Sequence, residues 1–158
     1  MDGELNELGR EQAEILAEKL KDVEFDVIVS SQLRRTLKTA EIINKYHGMP
    51  IDINDGLIER SGGTKLVAMN VWHDLFDFDK NVQPEGGESV RDFFERVYLA
   101  IDEIREKYGD KNVLVVSSGG VNQAFHAYFN KLEWNGNMRL DPMHTGDIRM
   151  YSFDEGVK

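Results

Sequence analysis

The sequence predicts a single three-layer α/β/α domain with a mostly parallel β-sheet. Two short aliphatic runs, 25–29 and 112–116, are each followed by a polar turn and then by a helical pattern. Short apolar strands that alternate with helices are typical of α/β domains, whose binding sites lie beyond the carboxyl ends of the parallel strands. A chain of 158 residues, 41% of them hydrophobic, is long enough for one well-buried core and short for two ordinary domains. We therefore expect residues 1–158 to form one domain.

The first part of the chain predicts two helices and two strands. Leucine and alanine recur at three- and four-residue intervals between Asn6 and Lys21, and Asn6 is of a type that caps the first turn of a helix. After the strand at 25–29, apolar positions from Leu33 to Ile43 predict a second helix that ends before Gly48. Residues 51–53 predict another short strand.

From about residue 60 to residue 84 the pattern is irregular, and it predicts a small inserted lobe. Trp72, Leu75 and Phe76 suggest a short helix there. The aromatic residues Trp72, Phe76 and Phe78 have two open interpretations, because they can roof a ligand pocket or fill the core of the lobe itself.

The last part of the chain predicts two helices and two strands. Ser89, with Asp92 three residues later, predicts the start of a helix that ends at Gly109. The strand at 112–116 leads through a polar turn into another helix. Alternation of apolar and polar residues over Asp147–Phe153 predicts a final strand.

Composition excludes several classes of function. A net charge of -10 repels nucleic acid and anionic membranes at long range, so neither is expected as a partner. The absence of cysteine excludes disulfides and thiolate chemistry, and no two of the four histidines have the four-residue spacing of a helical metal site. With no apolar run of spanning length and no leader-like N-terminus, we expect a soluble cytoplasmic protein with no metal and no cofactor.

Two polar turns are the candidate binding elements. Ser30–Arg35 and Ser117–Gly120 each join a predicted strand to a helix, whose exposed amides and positive dipole end can hold an oxyanion. The alternative is that the glycines only permit a tight turn and that the arginines are solvated. From the residues alone the ligand can be phosphate, sulfate, a carboxylate or nothing at all.

Four further segments are Leu5–Ala13, Ser31–Ala40, Gly86–Ser89 and Val116–Gly120. In order and in approximate spacing, they resemble the motifs of the histidine phosphatase (phosphoglycerate mutase-like) superfamily. The resemblance spans roughly the whole chain and is weakest between Arg60 and Gln83 and after Lys131. It implies a phosphoglycerate mutase-like fold and a phosphomonoester or phosphate ligand.

The resemblance also implies roles for individual residues. In the family, a strand that ends in arginine-histidine-glycine supplies the nucleophile, and a second histidine stabilises the transferred phosphoryl group. Here the helix that follows that strand begins almost at Met1, and Ser118 occupies the place of the second histidine. Glu59 corresponds to the proton donor, although an acidic residue beside Arg60 is more often a solvated surface group. The implied phosphate-binding residues are Arg35, Ser118, Gly119 and Gly120.

These correspondences predict a phosphatase-like protein that is catalytically inactive and keeps a partial phosphate pocket. A serine hydroxyl cannot act as a cationic donor or as a base near neutral pH. The alternative is a truncated or altered form of an active phosphomonoester hydrolase or mutase. A relocated catalytic histidine, or a nucleophilic serine at Ser117 or Ser118, is a weaker possibility. The missing strand would leave a sheet edge unpaired, so we also expect a possible homodimer through strand pairing.

Overall fold

The computed structural model describes residues 4–60, 76–137 and 148–153. In these residues helices and strands alternate, and they agree with the predicted elements to within a few residues at their ends. They are α1 (Glu7–Leu20), β1 (Val27–Ser30), α2 (Arg34–Asn44), β2 (Ile51–Ile53), α3 (Val90–Tyr108), β3 (Val113–Val116) and α4 (Gly119–Phe129), with a 3-10 turn at Asp55–Leu57 after β2. None of the helices in this part of the chain is long and apolar enough to cross a membrane.

The described strands form a parallel sheet in the order β2-β1-β3. Ile28 of β1 lies opposite Ile51 of β2 on one side and Leu114 of β3 on the other. Every residue of β1 is buried, whereas the four apolar residues of β3 are only half-buried. Within the described residues β1 is therefore the centre of the sheet, and β3 pairs with β1 alone.

Helices cover both faces of the sheet, which confirms the predicted three-layer architecture. Alternate residues of a strand point to opposite faces. Val29 and Val115 pack in a core with α3 and α4, while Ile28 and Leu114 pack in a second core with α1 and α2. The larger core contains the fully buried side chains of Phe93 and Phe94, and burial of an aromatic side chain of this size contributes about 2–3 kcal/mol.

Side-chain caps fix the predicted starts of α1 and α3. The Asn6 side-chain oxygen accepts a hydrogen bond from the amide of Gly9 at 2.7 Å. The Ser89 hydroxyl accepts one from the amide of Asp92 at 3.2 Å. Each cap satisfies an amide that has no partner within its helix, which typically contributes about 1 kcal/mol.

The predicted final strand is wrong where the structure describes it, because residues 148–153 form no strand. Instead Tyr151 stacks on Phe129 of α4 with ring centroids 4.6 Å apart, and Phe153 lies 5.2 Å from the same ring. Met150, which precedes Tyr151, is 90% exposed. The alternating pattern therefore reflects aromatic docking on a helix rather than pairing within a sheet.

The inserted lobe is described only in part. Trp72 and Leu75, on which the predicted short helix depends, lie outside the described residues, and Phe76 lies in a turn. Phe78 is buried and packs edge-on against Phe94 at 4.8 Å. Phe78 therefore belongs to the core that α3 and α4 form, and not to a separate core of the lobe or to a pocket roof.

Candidate functional site

The two predicted binding turns lie at the same end of the sheet, beyond the carboxyl ends of β1 and β3. Ser30, the last residue of β1, lies opposite Val116, the last residue of β3, and the strands are parallel. Each strand runs within three residues into the N-terminus of a helix, α2 after β1 and α4 after β3. Two helix N-termini, with their positive dipole ends, therefore lie at the same end of the sheet. This is a favourable environment for an anion.

Arg35 lies in the first turn of α2, and its side chain is exposed. Arg34 precedes it, and this turn contains no acidic residue. Cations oppose the dipole at a helix N-terminus, so the two arginines do not stabilise the helix there. Within the described residues the Arg35 guanidinium makes no hydrogen bond or ion pair, which leaves its donors open to solvent or to a ligand.

Ser118 is the N-cap residue of α4, but its side chain does not cap the helix. Its hydroxyl oxygen is buried and has no hydrogen-bond partner in the part of the chain that the structure describes. A buried hydroxyl without a partner costs about 1–3 kcal/mol. The neighbouring Ser117 differs, because its hydroxyl donates to the side-chain oxygen of Asn122 at 2.8 Å. Of the two hydroxyls in this turn, that of Ser118 is thus the one without a partner among the described residues.

Glu59 reaches the N-terminus of α4 from the segment after β2. Its Oε2 accepts a hydrogen bond from the amide of Gly120 at 3.0 Å, and its Oε1 accepts one from the amide of Arg60 at 2.8 Å. A Cβ on Gly120 would lie 2.2 Å from Glu59 Oε1 and 3.3 Å from the ring of Phe93. The interpretation of Glu59 as a solvated surface group is therefore wrong, and Gly120 is required for this close approach.

The structure brings together Glu59, Ser118, Gly119 and Gly120, and it places Arg35 at the N-terminus of α2, which packs on the opposite face of the sheet from α4. The amide of Gly120, predicted to bind an anion from outside, is already bonded to the Glu59 carboxylate. Gly119 is exposed, and a Cβ there would meet nothing within 4 Å among the described residues. At the N-terminus of α4, the described structure thus leaves Gly119 exposed, while the Gly120 amide is occupied by Glu59.

Sequence reasoning missed two arginines that bind the segments on either side of Glu59. Arg96 forms a two-pronged ion pair with Glu88, with Nε to Oε2 at 2.9 Å and Nη2 to Oε1 at 2.7 Å. Its Nη1 donates to the carbonyls of Gly56 and Ile58, both at 2.8 Å. A charged residue that borders the buried stripe of a helix is a signal for such a role, and Arg96 is half-buried next to Val97 on α3.

Arg60 is a second missed anchor. Its Nε and Nη2 donate to the carbonyl of Glu88 at 3.1 and 3.0 Å. Burial lowers the pKa of the Arg60 guanidinium from its usual value, while the negative charges of Glu88 and Glu59 act in the opposite direction. An arginine keeps its charge in proteins, so Arg60 contributes a partly buried cation next to Glu59.

The two described histidines have structural roles. His47 Nε2 lies 3.0 Å from the carbonyl of Leu20, and its ring packs on Phe25 at 4.1 Å. His126 Nδ1 lies 3.3 Å from both the Asn130 amide group and an Arg149 nitrogen. Neither contacts a site residue in the described part of the chain, and His73 and His144 lie outside it.

Comparison with known proteins decides the family. The model of the histidine phosphatase superfamily (branch 1) matches residues 1–158. The chain belongs to the histidine phosphatase superfamily. Among its relatives in this superfamily, the phosphatase PhoE of Bacillus subtilis is 32% identical over 128 residues, which cover 81% of this chain and 64% of PhoE.

Other members of the superfamily agree with this assignment. Phosphoserine phosphatase 1 of Hydrogenobacter thermophilus is 32% identical over 126 residues, which cover 74% of this chain and 60% of that protein. The chain thus spans about three fifths of the length of these curated relatives.

Solved structures of superfamily members confirm the phosphoglycerate mutase-like fold. YhfR of Bacillus stearothermophilus superimposes with a TM-score of 0.85 at 25% identity, over 99% of this chain and 82% of YhfR. A complex of mycobacterial glucosyl-3-phosphoglycerate phosphatase with inorganic phosphate superimposes with a TM-score of 0.75 at 30% identity, over 90% of this chain and 77% of that protein.

Proposed function

We propose that this member of the histidine phosphatase superfamily binds inorganic phosphate or a phosphorylated small molecule at the N-termini of α2 and α4 and does not hydrolyse it. The observation that carries the proposal is the Ser118 hydroxyl, which is buried without a partner in the described residues at the start of α4. Arg35 lies at the start of α2, at the same end of the sheet. A hydroxyl donor, free helix amides and a guanidinium are the groups that recognise phosphate oxygens.

The residues present support binding better than catalysis. The 158 residues contain no arginine-histidine-glycine sequence, and Ser118 stands where the family motif has its second histidine. We therefore propose that these 158 residues do not support the family's covalent route, and each missing charge donor costs about 3 kcal/mol or more of transition-state stabilisation by analogy with single-donor deletions. By resemblance, Glu59 is the residual proton donor, but a proton donor alone does not break a phosphate ester.

A second candidate is a truncated or altered form of an active phosphomonoester hydrolase or mutase. The observation that favours it is that the chain spans about three fifths of the length of its phosphatase relatives. Ser118 distinguishes the two candidates, because removal of a segment elsewhere in a protein does not change residue 118. If a longer form regains turnover while it keeps Ser118, this second candidate is supported.

The proposal is tested by turnover and binding measurements on the purified chain. We expect no hydrolysis of p-nitrophenyl phosphate above the buffer rate, together with weak phosphate binding by calorimetry. Arg35→Ala should weaken binding several-fold. Arg10→Ala, which removes an exposed arginine from α1, is the charge-matched control and should leave binding nearly unchanged.

Two results would contradict the proposal. Turnover that survives repeated purification would show that the chain is an active enzyme. Equal loss of binding in Arg35→Ala and Arg10→Ala would show that net charge alone attracts phosphate.

A further inference from the structure

We infer that Arg96 is a positioning residue that holds the Glu59 carboxylate against the N-terminus of α4. The inference deepens the proposed function, because Glu59 determines which amides of that helix remain open to an anion. Arg96 itself is assigned no contact with the ligand. It acts through the backbone on either side of Glu59.

The first connection runs through the turn that precedes Glu59. Arg96 Nη1 donates to the carbonyls of Gly56 and Ile58, each at 2.8 Å. The carbonyl of Ile58 belongs to the peptide bond between Ile58 and Glu59. The hydrogen bond from Arg96 therefore fixes the position of that peptide. The turn lies directly on α3, since a Cβ on Gly56 would approach Cβ of Ala100 to 2.7 Å.

The second connection runs through Glu88 to the residue after Glu59. Arg96 holds the Glu88 carboxylate with two hydrogen bonds, and the carbonyl of Glu88 accepts from Arg60 Nε and Nη2. Glu59 therefore lies between two residues, Ile58 and Arg60, that both depend on the Arg96–Glu88 pair.

The contact pattern requires arginine rather than any cation. Arg96 places Nε, Nη1 and Nη2 on three separate acceptor groups at once. A guanidinium is planar and holds its N–H donors in a fixed arrangement on three nitrogens, whereas all the donors of a lysine ammonium lie on one nitrogen. The pair is three-quarters buried, with side-chain exposures of 27% for Arg96 and 25% for Glu88. Solvent screening is weaker there than at the surface, so the geometry is held tightly.

α3 supplies a matched control in Arg91. Its Nε donates to the carbonyl of Phe78 at 2.9 Å, and its Nη2 donates to the carbonyl of Trp134 at 3.3 Å. Arg91 is thus a half-buried arginine of the same helix that also anchors two loop carbonyls, but its loops are remote in sequence from Glu59. Arg96→Lys and Arg91→Lys should destabilise the fold by similar amounts.

The test is the amide chemical shift of Gly120, recorded without phosphate so that it is independent of ligand binding. Glu59→Ala removes the carboxylate that accepts the hydrogen bond from the Gly120 amide. It therefore shows in which direction the Gly120 amide shift moves when that bond is lost. Arg96→Lys should move the Gly120 amide in the same direction, and Arg91→Lys should leave it at the wild-type position. In the double variant Glu59→Ala/Arg96→Lys, the Gly120 amide shift should equal that of Glu59→Ala alone, because the hydrogen bond on which Arg96 acts is already absent.

An unchanged Gly120 amide in folded Arg96→Lys would overturn the inference. If that variant does not fold, Glu88→Gln, which keeps the size of the partner and removes its charge, is measured in the same way, and an unchanged Gly120 amide there overturns the inference too. Failure of the proposed function is seen separately, as a wild-type protein that does not bind phosphate while Gly120 still responds to Arg96→Lys.

Discussion

The Glu59 carboxylate accepts a hydrogen bond at 3.0 Å from the backbone amide of Gly120, a residue 61 positions later in the chain. The internal carboxylate thereby occupies one of the free donors at the N-terminus of α4. Under the proposed function, an external oxyanion would therefore not bind the Gly120 amide unless Glu59 moved away.

Replacement of Gly120 by alanine should displace Glu59. The new Cβ would lie 2.2 Å from Glu59 Oε1, so the carboxylate must move and the hydrogen bond to residue 120 is lost. We expect a loss of about 1–2 kcal/mol in unfolding free energy, comparable to a lost charged hydrogen bond. Denaturant unfolding measures the loss, and the amide shift of residue 120 reports the broken bond.

Gly119→Ala is the matched control for that substitution. A Cβ at Gly119 meets no described atom within 4 Å, and its backbone does not require glycine. Stability should therefore stay equal or rise by up to about 1 kcal/mol, because alanine restricts the unfolded chain. Equal destabilisation by both substitutions would show that the contact between Glu59 and Gly120 is not what makes Gly120 necessary.

Ser118→Ala should separate binding from stability. The Ser118 hydroxyl is buried and has no partner among the described residues, so its removal should leave the unfolding free energy unchanged or raise it by about 1 kcal/mol. The same substitution should weaken phosphate binding, since it removes a donor. A destabilised variant with unchanged phosphate affinity would contradict both expectations.

Asp52 should make a pH-dependent contribution to stability. Its Oδ2 accepts a hydrogen bond from Lys107 Nζ at 2.7 Å and another from the Tyr108 hydroxyl, and these bonds hold the pKa of Asp52 below its usual value. Because the folded-state pKa is lowered, the stabilisation is present above the unfolded-state pKa of about 3.9 and is lost as the pH falls through the folded-state pKa.

Asp52→Asn should accordingly lower the unfolding free energy at pH 7 by at most about 1 kcal/mol, since solvent screens this exposed pair. The difference from wild type should close as the pH falls below about 3.9. Glu11→Gln, at an exposed carboxylate with no partner among the described residues, is the control. A difference that stays constant from pH 7 into the acid range would exclude the ionised carboxylate as its source.

Among the described residues β3 has one unpaired edge, which predicts self-association of the 158-residue chain. In the described residues β3 pairs only with β1, and its four apolar residues are half-buried. A second copy that pairs with this edge would satisfy its backbone groups. Light scattering coupled to size exclusion should show a dimer whose share rises with protein concentration. A strictly monomeric chain at the highest soluble concentration would contradict this prediction.

The sequence predicted the elements whose signals are local. Caps such as Asn6 and Ser89 and the periodic apolar faces of the helices depend on neighbours within one or two turns. The order of motifs also located both helix N-termini at the site. The hydrogen bond between Glu59 and Gly120 was not predictable from periodicity, because it joins residues far apart in the chain.

The errors have the same origin. The alternation over Asp147–Phe153 predicts a strand, but in the described residues 148–153 contacts with Phe129 decide the conformation. Arg96 carried no motif of its own, because its acceptors are backbone carbonyls that only the folded chain brings within reach. Long-range contacts of this kind are absent from local sequence patterns.

Phosphate titration followed by amide chemical shifts tests the proposed site most directly. If the N-termini of α2 and α4 bind phosphate, the largest and saturable shifts should fall at Arg34–Thr36 and at Ser118–Gly120, and they should be reduced in Arg35→Ala. Shifts confined to other parts of the chain, or no saturable shifts at all, would contradict the proposed phosphate site.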